Sequence, residues 1–376
     1  MREYTESAQM ALDAINRKEN SGIPTGLVHI MEHSIIERLA GAESGAYVND
    51  PYGVYCRMLE KIGVNMVDQF LAANPLTMGN RGYEHSLDTP TTGGVTNMDG
   101  FIIDGPETCL EYMESIDIPN LKKRIAGFHE EQRIQEVINA ESQEQRMVGP
   151  NILKAGYAKL LFPHLEYDRY GYENYFMAYA LYPEVIDQLF QLQADYAAKN
   201  NSAVVKAFKR AGLPLYHRLD YDMADSSGLL ISMESLKRSW VEQFARAIKP
   251  AVDADFTLLW HCDGNLMELL PHLIDSGING FHGFQYEDGM DYVKICKLKA
   301  TNSKSMVIQA GVSVTRELPM GAPDHVRKQM KFLVENGPET GLFLSTSSSC
   351  APGTPWENIK TAVEGFEYYR KHGRKG

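Results

Sequence analysis

The chain lacks the features that would place it in a membrane, in a disulfide-rich secreted class or on nucleic acid. No apolar run among its 376 residues approaches the roughly 20 needed to span a bilayer. Its five cysteines, at positions 56, 109, 262, 296 and 350, form no paired spacing, which is typical of a reducing cytosol. Lys and Arg number 37 against 49 Asp and Glu, so a phosphate-tracking surface is not expected. We therefore expect a cytoplasmic protein that binds neither membranes nor nucleic acid.

Two further absences bear on the fold. The chain has no internal repeat, and no Gly-x-Gly-x-x-Gly turn opens its first helix. What it has is an alternation of apolar, β-rich runs with helix-patterned stretches, the longest from Pro183 to Arg210. The alternation predicts eight strands, at Gly26–Met31, Asn65–Leu71, Val148–Leu153, Leu213–Tyr221, Phe256–Cys262, Gly277–Gln285, Met306–Val312 and Gly341–Ser347.

Eight parallel strands separated by helices predict an α/β protein with a (β/α)8 TIM barrel, preceded by an N-terminal helical extension. An open doubly wound sheet uses the same alternation and is the alternative. We expect one domain over residues 1–376, since the length exceeds a minimal barrel of roughly 250 residues. The segment 74–120, rich in Gly, Thr, Asp and Asn, is predicted to be a long loop or lid inserted after the second strand.

Polar side chains follow the ends of most predicted strands. In a barrel these ends and the loops after them meet at one mouth, where active sites form. We therefore expect the following residues to converge there: His29, Asp220, Asp222, His261, Asp263, His282, Gln285, Gln309 and Cys350.

Three of these residues have the chemistry of a zinc site. Imidazole, carboxylate and thiolate all bind zinc, and three protein ligands with one open position is the usual catalytic arrangement. His261 and Asp263 share a face of their strand, whereas Cys262 between them points the other way. His261, Asp263 and Cys350 are therefore the candidate metal ligands. The alternative is that His261 bonds a substrate and that Cys350 is a buried apolar residue.

Four segments together resemble the uroporphyrinogen decarboxylase superfamily, and more narrowly its corrinoid-dependent methyltransferase branch, which acts on methylcobamides and in O-demethylation. They span most of the chain and are Gly22–Pro24 with Glu37–Gly41, Asp222–Ser232, His261–Asn265 with Leu269–Pro271 and Gly277–Ile278, and Cys350–Ile359.

The resemblance implies a (β/α)8 barrel and, in the methyltransferase branch, a zinc held by a His, a Cys and a distal Cys. Carried over, these positions are His261, residue 263 and Cys350. The chain departs from the pattern because residue 263 is Asp. A carboxylate leaves the metal more Lewis acidic than a thiolate does, which favours polarising an ether or carbonyl oxygen over activating a thiol.

The decarboxylases of the superfamily carry an Arg-rich opening motif and an Asp after the second strand. Here no Arg precedes Arg38 in the first segment, and Gln69–Ser86 contains no Asp. Because many carboxylates require fixed cations, uroporphyrinogen is not the expected substrate. The resemblance instead implies a corrinoid on a separate carrier protein, since nothing in this chain resembles a cobalamin-binding motif.

Other residues are assigned roles at the predicted mouth. Asp222 is a candidate for substrate binding or proton transfer, because Ser232 and Glu234 are nearer to the start of the next helix. Gln285 and His29 are candidate substrate-binding residues.

An aromatic segment follows the third predicted strand and includes Tyr170 and Tyr172. It is either a wall that stacks a planar substrate, with these two tyrosines as binding residues, or a packing surface that supports a homodimer.

These expectations lead to one functional hypothesis and two alternatives. The hypothesis is a methyltransferase that moves a methyl group between a small methylated compound, such as an aromatic methyl ether, and the cobalt of a carrier-bound corrinoid, assisted by zinc, with Asp222 and His261 catalytic. The first alternative is a metal-free decarboxylase or lyase of the superfamily acting on a small carboxylate. The second is a catalytically silent binding protein.

Overall fold

The protein consists of short strands joined by longer helices, and the computed structural model describes residues 4–26, 29–72, 95–98 and 100–375. Its strands are β1 Met66–Val67, β2 Thr96–Met98, β3 Phe101–Ile103, β4 Leu153–Lys154, β5 Gly156–Tyr157, β6 Tyr216–Asp220, β7 Ala224–Asp225, β8 Gly228–Leu229, β9 Thr257–His261, β10 Gly280–His282, β11 Val307–Val312 and β12 Leu342–Thr346.

The α-helices are α1 Glu6–Ile15, α2 His33–Ala40, α3 Ala46–Asn49, α4 Pro51–Ile62, α5 Pro106–Tyr112, α6 Ile118–Ala126, α7 Glu130–Val148, α8 Tyr167–Tyr170, α9 Tyr172–Leu181, α10 Pro183–Ala211, α11 Met233–Ser239, α12 Val241–Asp253, α13 Leu270–Ser276, α14 Tyr292–Lys297, α15 Glu317–Met320, α16 Pro323–Asn336 and α17 Trp356–His372. A π-helix, Met113–Asp117, joins α5 to α6. Among the described residues no helix is both long and apolar enough to cross a membrane.

Six strands form one parallel sheet in the order β12-β11-β10-β9-β6-β5. Each strand of this sheet pairs with the sheet strand that comes before or after it along the chain. The strand order therefore never reverses, as it does at the switch point of a doubly wound sheet. The protein is therefore α/β with a curled, parallel six-stranded sheet. Strands β1 and β4 pair in parallel with each other, and β2-β3 and β7-β8 are antiparallel hairpins.

Hydrogen bonds connect the β12 edge of the six-stranded sheet to the β1-β4 pair through the segment before residue 27. The Gly26 amide donates to the Leu344 carbonyl at 2.7 Å, and the Asn65 amide donates to the Thr25 carbonyl at 2.9 Å. The Leu153 amide donates in turn to the Asn65 carbonyl at 2.8 Å. The first predicted strand is nevertheless reduced to isolated bridges in its described part, and residues 27 and 28 lie outside the described residues.

Helix α1 covers the amino-terminal ends of the strands, in agreement with the predicted helical extension. Its buried face, Ala8, Ala11, Ala14 and Ile15, packs in one apolar cluster with side chains from six strands and the residue between β4 and β5: Met66, Leu153, Ala155, Tyr216, Leu259, Val307 and Phe343. This end of the sheet is closed by hydrocarbon, which leaves the opposite, carboxyl-terminal end for polar groups.

The predicted 74–120 loop requires correction in its described part. Residues 95–98 and 100–120 contain the β2-β3 hairpin, α5, the π-helix and the start of α6. The apolar side chains Cys109, Tyr112, Met113 and Ile118 are buried there, and this amphipathic pattern outweighs the Gly- and Asn-rich composition that suggested a loop. Residues 73–94 and 99 lie outside the described residues.

Candidate active site

A layer of buried polar side chains lies above the apolar layer, and strand alternation produces it. On β6, Tyr216, Arg218 and Asp220 share one face, because successive residues of a strand alternate between faces. On the other face, Nε2 of His217 accepts hydrogen bonds from the backbone amides of Lys159 and Leu160, both at 3.0 Å. Register places Asp220 opposite His261 of β9.

Arg218 is the centre of this layer and is 3% exposed. Its Nη2 donates to Oδ2 of Asp220 at 2.7 Å, and its Nη1 lies 3.6 Å from Oδ1 of Asp68. Asp68 also accepts hydrogen bonds at Oδ2 from the Tyr216 hydroxyl at 3.0 Å and from Gln309 Nε2 at 3.2 Å. The buried cation is thus held by two carboxylates that are themselves hydrogen-bonded, as a stable buried pair requires.

This pairing fixes the charge of the layer. Burial by itself would lower the pKa of Arg218, but Asp220 and Asp68 raise it above its usual value. Burial would likewise raise the pKa of Asp68, yet Arg218 and the Gln69 amide bring it below its usual range. The guanidinium and the Asp68 carboxylate are therefore both charged at neutral pH.

Three histidines lie within the field of Arg218. The rings of His261 and His282 are 4.7 Å apart, and Nε2 of His282 contacts the Thr346 carbonyl at 2.8 Å. Burial, reinforced by Arg218, lowers the pKa of His29 to about 4 and that of His282 to about 3, and it lowers the pKa of His261 well below the usual value. All three imidazoles are neutral at pH 7, which is the form that binds a metal or accepts a hydrogen bond.

Several nitrogens of these rings have no hydrogen-bond partner among the described residues. They are both ring nitrogens of His29 and the Nδ1 atoms of His261 and His282. A buried polar group without a partner costs roughly 1–3 kcal/mol, so native proteins keep few of them. Their concentration at the carboxyl-terminal end of the strands is what a binding site for a polar or metal ligand requires.

The turn after β9 is fixed by side chains from neighbouring elements. The Asp263 amide donates to Oδ1 of Asp222, and the Gly264 amide donates to Oε1 of Gln285, both at 2.8 Å. Gly264 has φ +86°, and a Cβ on it would lie 2.6 Å from the Asp225 carbonyl oxygen, so only glycine fits. Asp222 and Gln285, predicted to bind substrate, are thus placed beside Asp263, where they hold its backbone.

The Asp263 carboxylate lies beside His261. Its Oδ1 is 3.9 Å from Nε2 of His261 and has no hydrogen-bond partner, whereas its Oδ2 accepts from the Ser348 hydroxyl at 3.2 Å. Burial and the neighbouring Asp222 raise the pKa of Asp263 to about 7. No Lys or Arg among the described residues forms an ion pair with this carboxylate, although the charge of Arg218 opposes the rise of its pKa.

Cys350, the third predicted ligand, lies two residues beyond Ser348. Its amide donates to the His29 carbonyl at 2.8 Å, and its carbonyl accepts from the Met31 amide at 3.0 Å, which anchors the C-terminal motif to the first predicted strand segment. The side chain is 2% exposed, and burial raises the pKa of its thiol to about 12. Cys350 is therefore a protonated thiol unless a metal binds it.

The residues fit a zinc ion by chemistry but are not gathered into a finished site. Within residues 4–26, 29–72, 95–98 and 100–375, no group of three His, Cys, Asp or Glu side chains is arranged to hold a metal. His261 and Asp263 each nevertheless present a buried atom without a partner, and imidazole, carboxylate and thiolate is a donor set that zinc accepts. Zinc binding at His261, Asp263 and Cys350 stays a prediction.

The two predicted tyrosines are separated by the fold. Tyr170 is fully buried and donates its hydroxyl to Asp117, away from the histidines. Tyr172 is partly exposed and packs against Tyr167, with ring centroids 5.4 Å apart. The Tyr167 hydroxyl donates to the Asp222 carbonyl at 2.8 Å, which links this end of the aromatic segment to the mouth. A substrate-binding role for either tyrosine stays a prediction.

Sequence reasoning missed the charged centre of the site. Asp68 was overlooked because it lies one residue before Gln69–Ser86, the interval in which the Asp that follows the second strand was expected. Arg218 lies within the fourth predicted strand, between His217 and Leu219, and was missed because only residues at strand ends were considered as candidates. Period-two alternation of Tyr216, Arg218 and Asp220 was the available signal, since it assigns all three to one face.

No protein-family model matches the chain, and no curated protein matches it. Among solved structures, one described as a methyltransferase from Methanosarcina mazei has a TM-score of 0.60 with 16% sequence identity, and the alignment covers 98% of this chain and 99% of that one. The two chains share a fold over nearly their whole length.

A second structure is a B12-independent methionine synthase from Shewanella sp. W3-18-1, described as a complex with selenomethionine. Its TM-score is 0.27 with 12% identity, and the alignment covers 50% of this chain and 55% of that chain. This similarity is too low to bear on the fold or the reaction.

Proposed function

We propose that the protein is a cytoplasmic member of the corrinoid-dependent methyltransferase branch of the uroporphyrinogen decarboxylase superfamily. It moves a methyl group between a small methylated compound, such as an aromatic methyl ether, and the cobalt of a corrinoid bound to a separate carrier protein. The fold is a closed (β/α)8 barrel, with the segment before residue 27 as its first strand. The hydrogen bonds from Gly26 to Leu344 and from Asn65 to Thr25 support closure, since they continue the parallel order on both sides.

The observation that carries this proposal is the adjacency of His261 and Asp263 at the carboxyl-terminal end of β9. Nε2 of His261 lies 3.9 Å from Oδ1 of Asp263, a buried oxygen without a hydrogen-bond partner among the described residues. A neutral imidazole and an uncompensated carboxylate side by side are suited to a cation. The four segments that resemble the superfamily and the fold shared with a methyltransferase support the same conclusion.

His261, Asp263 and Cys350 would hold the zinc. When bound, zinc supplies Lewis acidity, which stabilises the negative charge that develops on the oxygen losing or gaining the methyl group. Asp222 and Gln285 keep the residue 263 turn in place through its amides. His29, neutral and with no partner for either ring nitrogen among the described residues, would form a hydrogen bond with the substrate. The carrier docks over the barrel mouth, so that the methyl carbon can be reached in line.

Metal analysis of the purified protein tests the proposal. We expect near-stoichiometric zinc in the parent and its loss in His261→Ala and Cys350→Ser. Cys296→Ser is the matched control, because Cys296 is a buried thiol on α14 and is not a predicted ligand. The zinc-loaded parent should then transfer methyl groups to Co(I) cobalamin, and His261→Ala should not.

Absence of zinc from a reduced preparation made without chelators would overturn the metal-assisted reaction. One observation would then favour the second candidate, a metal-free lyase-like member of the superfamily acting on a small carboxylate. Nε of Arg218 is buried and has no partner, so it can donate one hydrogen bond to a carboxylate without disturbing Asp68 or Asp220. Release of carbon dioxide from a panel of small carboxylates, lost in Arg218→Lys, would support that candidate.

A further inference from the structure

A cavity of about 810 Å³ lies outside the barrel mouth, between α6, α10 and the segment 161–170. Its volume is in the range of small-molecule sites. None of the histidines or aspartates of the candidate active site lines it. The aromatic segment of the sequence contributes one wall, through Phe162 and Tyr170.

The carboxylates that line this cavity are already engaged by protein groups. Asp117 accepts two hydrogen bonds from Arg169, at 2.7 and 2.8 Å, and one from the Tyr170 hydroxyl. Oε1 of Glu166 accepts from Nε2 of Gln193 at 2.9 Å. These groups are satisfied within the protein and do not call for a cation.

Two cations at the rim are not engaged in this way. Lys123 and Arg124, both on α6, form no ion pair with another described residue. The guanidinium of Arg124 lies 4.2 Å from the centroid of the Tyr196 ring. Stacking on an aromatic face fixes the plane of a guanidinium and leaves its N–H edge free to receive a carboxylate in two parallel hydrogen bonds.

The interior of the cavity is apolar and aromatic. Leu121, Leu161, Phe162, Leu189 and the ring of Tyr170 line it. Such surfaces take up a ring, and aromatic faces favour a planar one. Arg169 and Asp117 neutralise each other in an ion pair, so Lys123 and Arg124 leave the surroundings of the cavity net positive, whether or not Glu166 is ionised, which suits an anionic ligand.

We propose that this cavity is a second binding site, specific for a small aromatic carboxylate whose ring enters the apolar interior and whose carboxylate meets Lys123 and Arg124. The site is separate from the proposed zinc site but is packed against it. Phe162 lies 5.3 Å from Trp260, the residue before His261, and His164 lies 4.4 Å from Tyr221, measured between ring centroids. The Tyr221 amide donates to the His261 carbonyl at 3.2 Å.

Binding of 4-fluorobenzoate, followed by fluorine NMR and calorimetry, tests the site, with 4-fluorobenzamide as the uncharged probe of equal size. We expect saturable binding of the carboxylate, with affinity about tenfold above that of the amide, because the amide loses the charge-assisted hydrogen bonds. Arg124→Gln and Lys123→Gln should each weaken binding, the double variant by about tenfold. Lys122→Gln is the matched control, since Lys122 is the next residue of α6 but does not line the cavity, and it should bind as the parent does.

Two further variants separate this site from the candidate active site. Leu121→Trp fills the cavity from its partly exposed side and should abolish binding, with folding checked by circular dichroism. His261→Ala should leave 4-fluorobenzoate binding unchanged whether or not it abolishes methyl transfer, so failure of the proposed function does not affect this test. Equal affinity for the two probes, no saturable binding, binding unchanged in the double variant, or binding lost in His261→Ala would each overturn the proposal.

Discussion

The two ends of the sheet are built from the same strands but differ in how completely their groups are satisfied. At the amino-terminal end, α1 covers an interior of Met66, Leu259, Val307 and Phe343, all fully buried hydrocarbon. At the carboxyl-terminal end, the same strands carry His261, His282 and other buried groups whose nitrogens or oxygens have no partner. One end is therefore arranged for stability, and the other gives up stability to keep groups available for a ligand.

The difference is graded along each strand rather than abrupt. On β6, Tyr216 belongs to the apolar cluster through its ring and bonds Asp68 through its hydroxyl. Arg218, two residues further, pairs with Asp68 and Asp220 through its two terminal nitrogens and leaves only its Nε without a partner among the described residues. At the next level the rings of His29, His261 and His282 carry four such nitrogens. The charged layer thus separates the packed end of the interior from the end that binds.

The largest effect on stability is expected at the packed end. Phe343→Ala should lower the free energy of unfolding by about 4 kcal/mol, because it removes a fully buried ring from a cluster covered by α1. Urea denaturation measures the change. Zinc content and methyl transfer by the fraction that remains folded should match the parent, and loss of zinc binding from folded Phe343→Ala would contradict a division of roles between the ends.

The next largest effect is expected in the charged layer. Arg218→Met should cost about 3 kcal/mol, because it leaves the Asp68 and Asp220 carboxylates buried without their cation. Adding Asp68→Asn should recover part of this loss, so that the double variant is more stable than the sum of the single changes predicts. Additive effects, measured by the same denaturation, would mean that the pair does not act as a unit.

An effect of opposite sign is expected at the binding end. His29→Leu should raise the free energy of unfolding by about 1 kcal/mol, since it replaces a buried imidazole that has no hydrogen-bond partner with a hydrocarbon side chain. Methyl transfer should fall in the same variant. If His29→Leu is instead less stable than the parent by 1 kcal/mol or more, the imidazole has a structural role and the comparison fails at this position.

The last effect depends on pH and concerns Glu166, which lines the second cavity. Burial raises its pKa to about 7, a shift that Arg169 opposes and that Asp168 and Asp117 reinforce. Because the folded state then binds a proton that the unfolded state releases above about 4.5, the free energy of unfolding falls as pH rises from about 4.5 to about 7.

Glu166→Gln should remove that fall, which for a pKa raised from 4.5 to about 7 amounts to about 3 kcal/mol of stability gained over the parent at pH 7.5 relative to pH 4.5. Glu173→Gln, at an exposed position on α9, is the matched control and should follow the parent curve. Thermal unfolding in buffers across this pH range measures both. Parallel curves for Glu166→Gln and the parent would show that Glu166 is ionised in the folded protein throughout.

Five strands of the six-stranded sheet, β6, β9, β10, β11 and β12, lie within their predicted ranges. The third predicted strand, Val148–Leu153, was misplaced, because α7 extends to Val148 and the strands β4 and β5 occupy 153–154 and 156–157. The long helix α10 begins at Pro183 as predicted, since proline at the first helical position marks its start. The first predicted strand, Gly26–Met31, is not a regular strand in its described part, because its pairing is limited to bridges with residues distant in sequence, such as that of Ile30 with Cys350. The helical segments before residue 121 were missed because composition was given more weight than periodicity.

The candidate site was predictable at its rim and not at its centre. Residues at strand ends, such as His261, Asp263 and Gln285, were found because parallel strands place their ends together. Arg218 and Asp68 were missed because their importance comes from their pairing with each other, which no local sequence pattern encodes. Asp68 is 148 positions from Tyr216, its hydrogen-bond partner on the same strand as Arg218. Tyr170 donates its hydroxyl to Asp117, a contact that the sequence did not predict, and its substrate-binding role stays a prediction.

The central claim is that zinc binds at the carboxyl-terminal ends of the strands. Its most direct test is the X-ray absorption spectrum of the zinc-loaded protein. The account predicts four-coordinate zinc with one sulfur at about 2.3 Å and nitrogen or oxygen ligands at about 2.0–2.2 Å. The sulfur should be lost in Cys350→Ser and retained in Cys262→Ser. A first coordination sphere without sulfur, or a sulfur that disappears in Cys262→Ser instead, would contradict it.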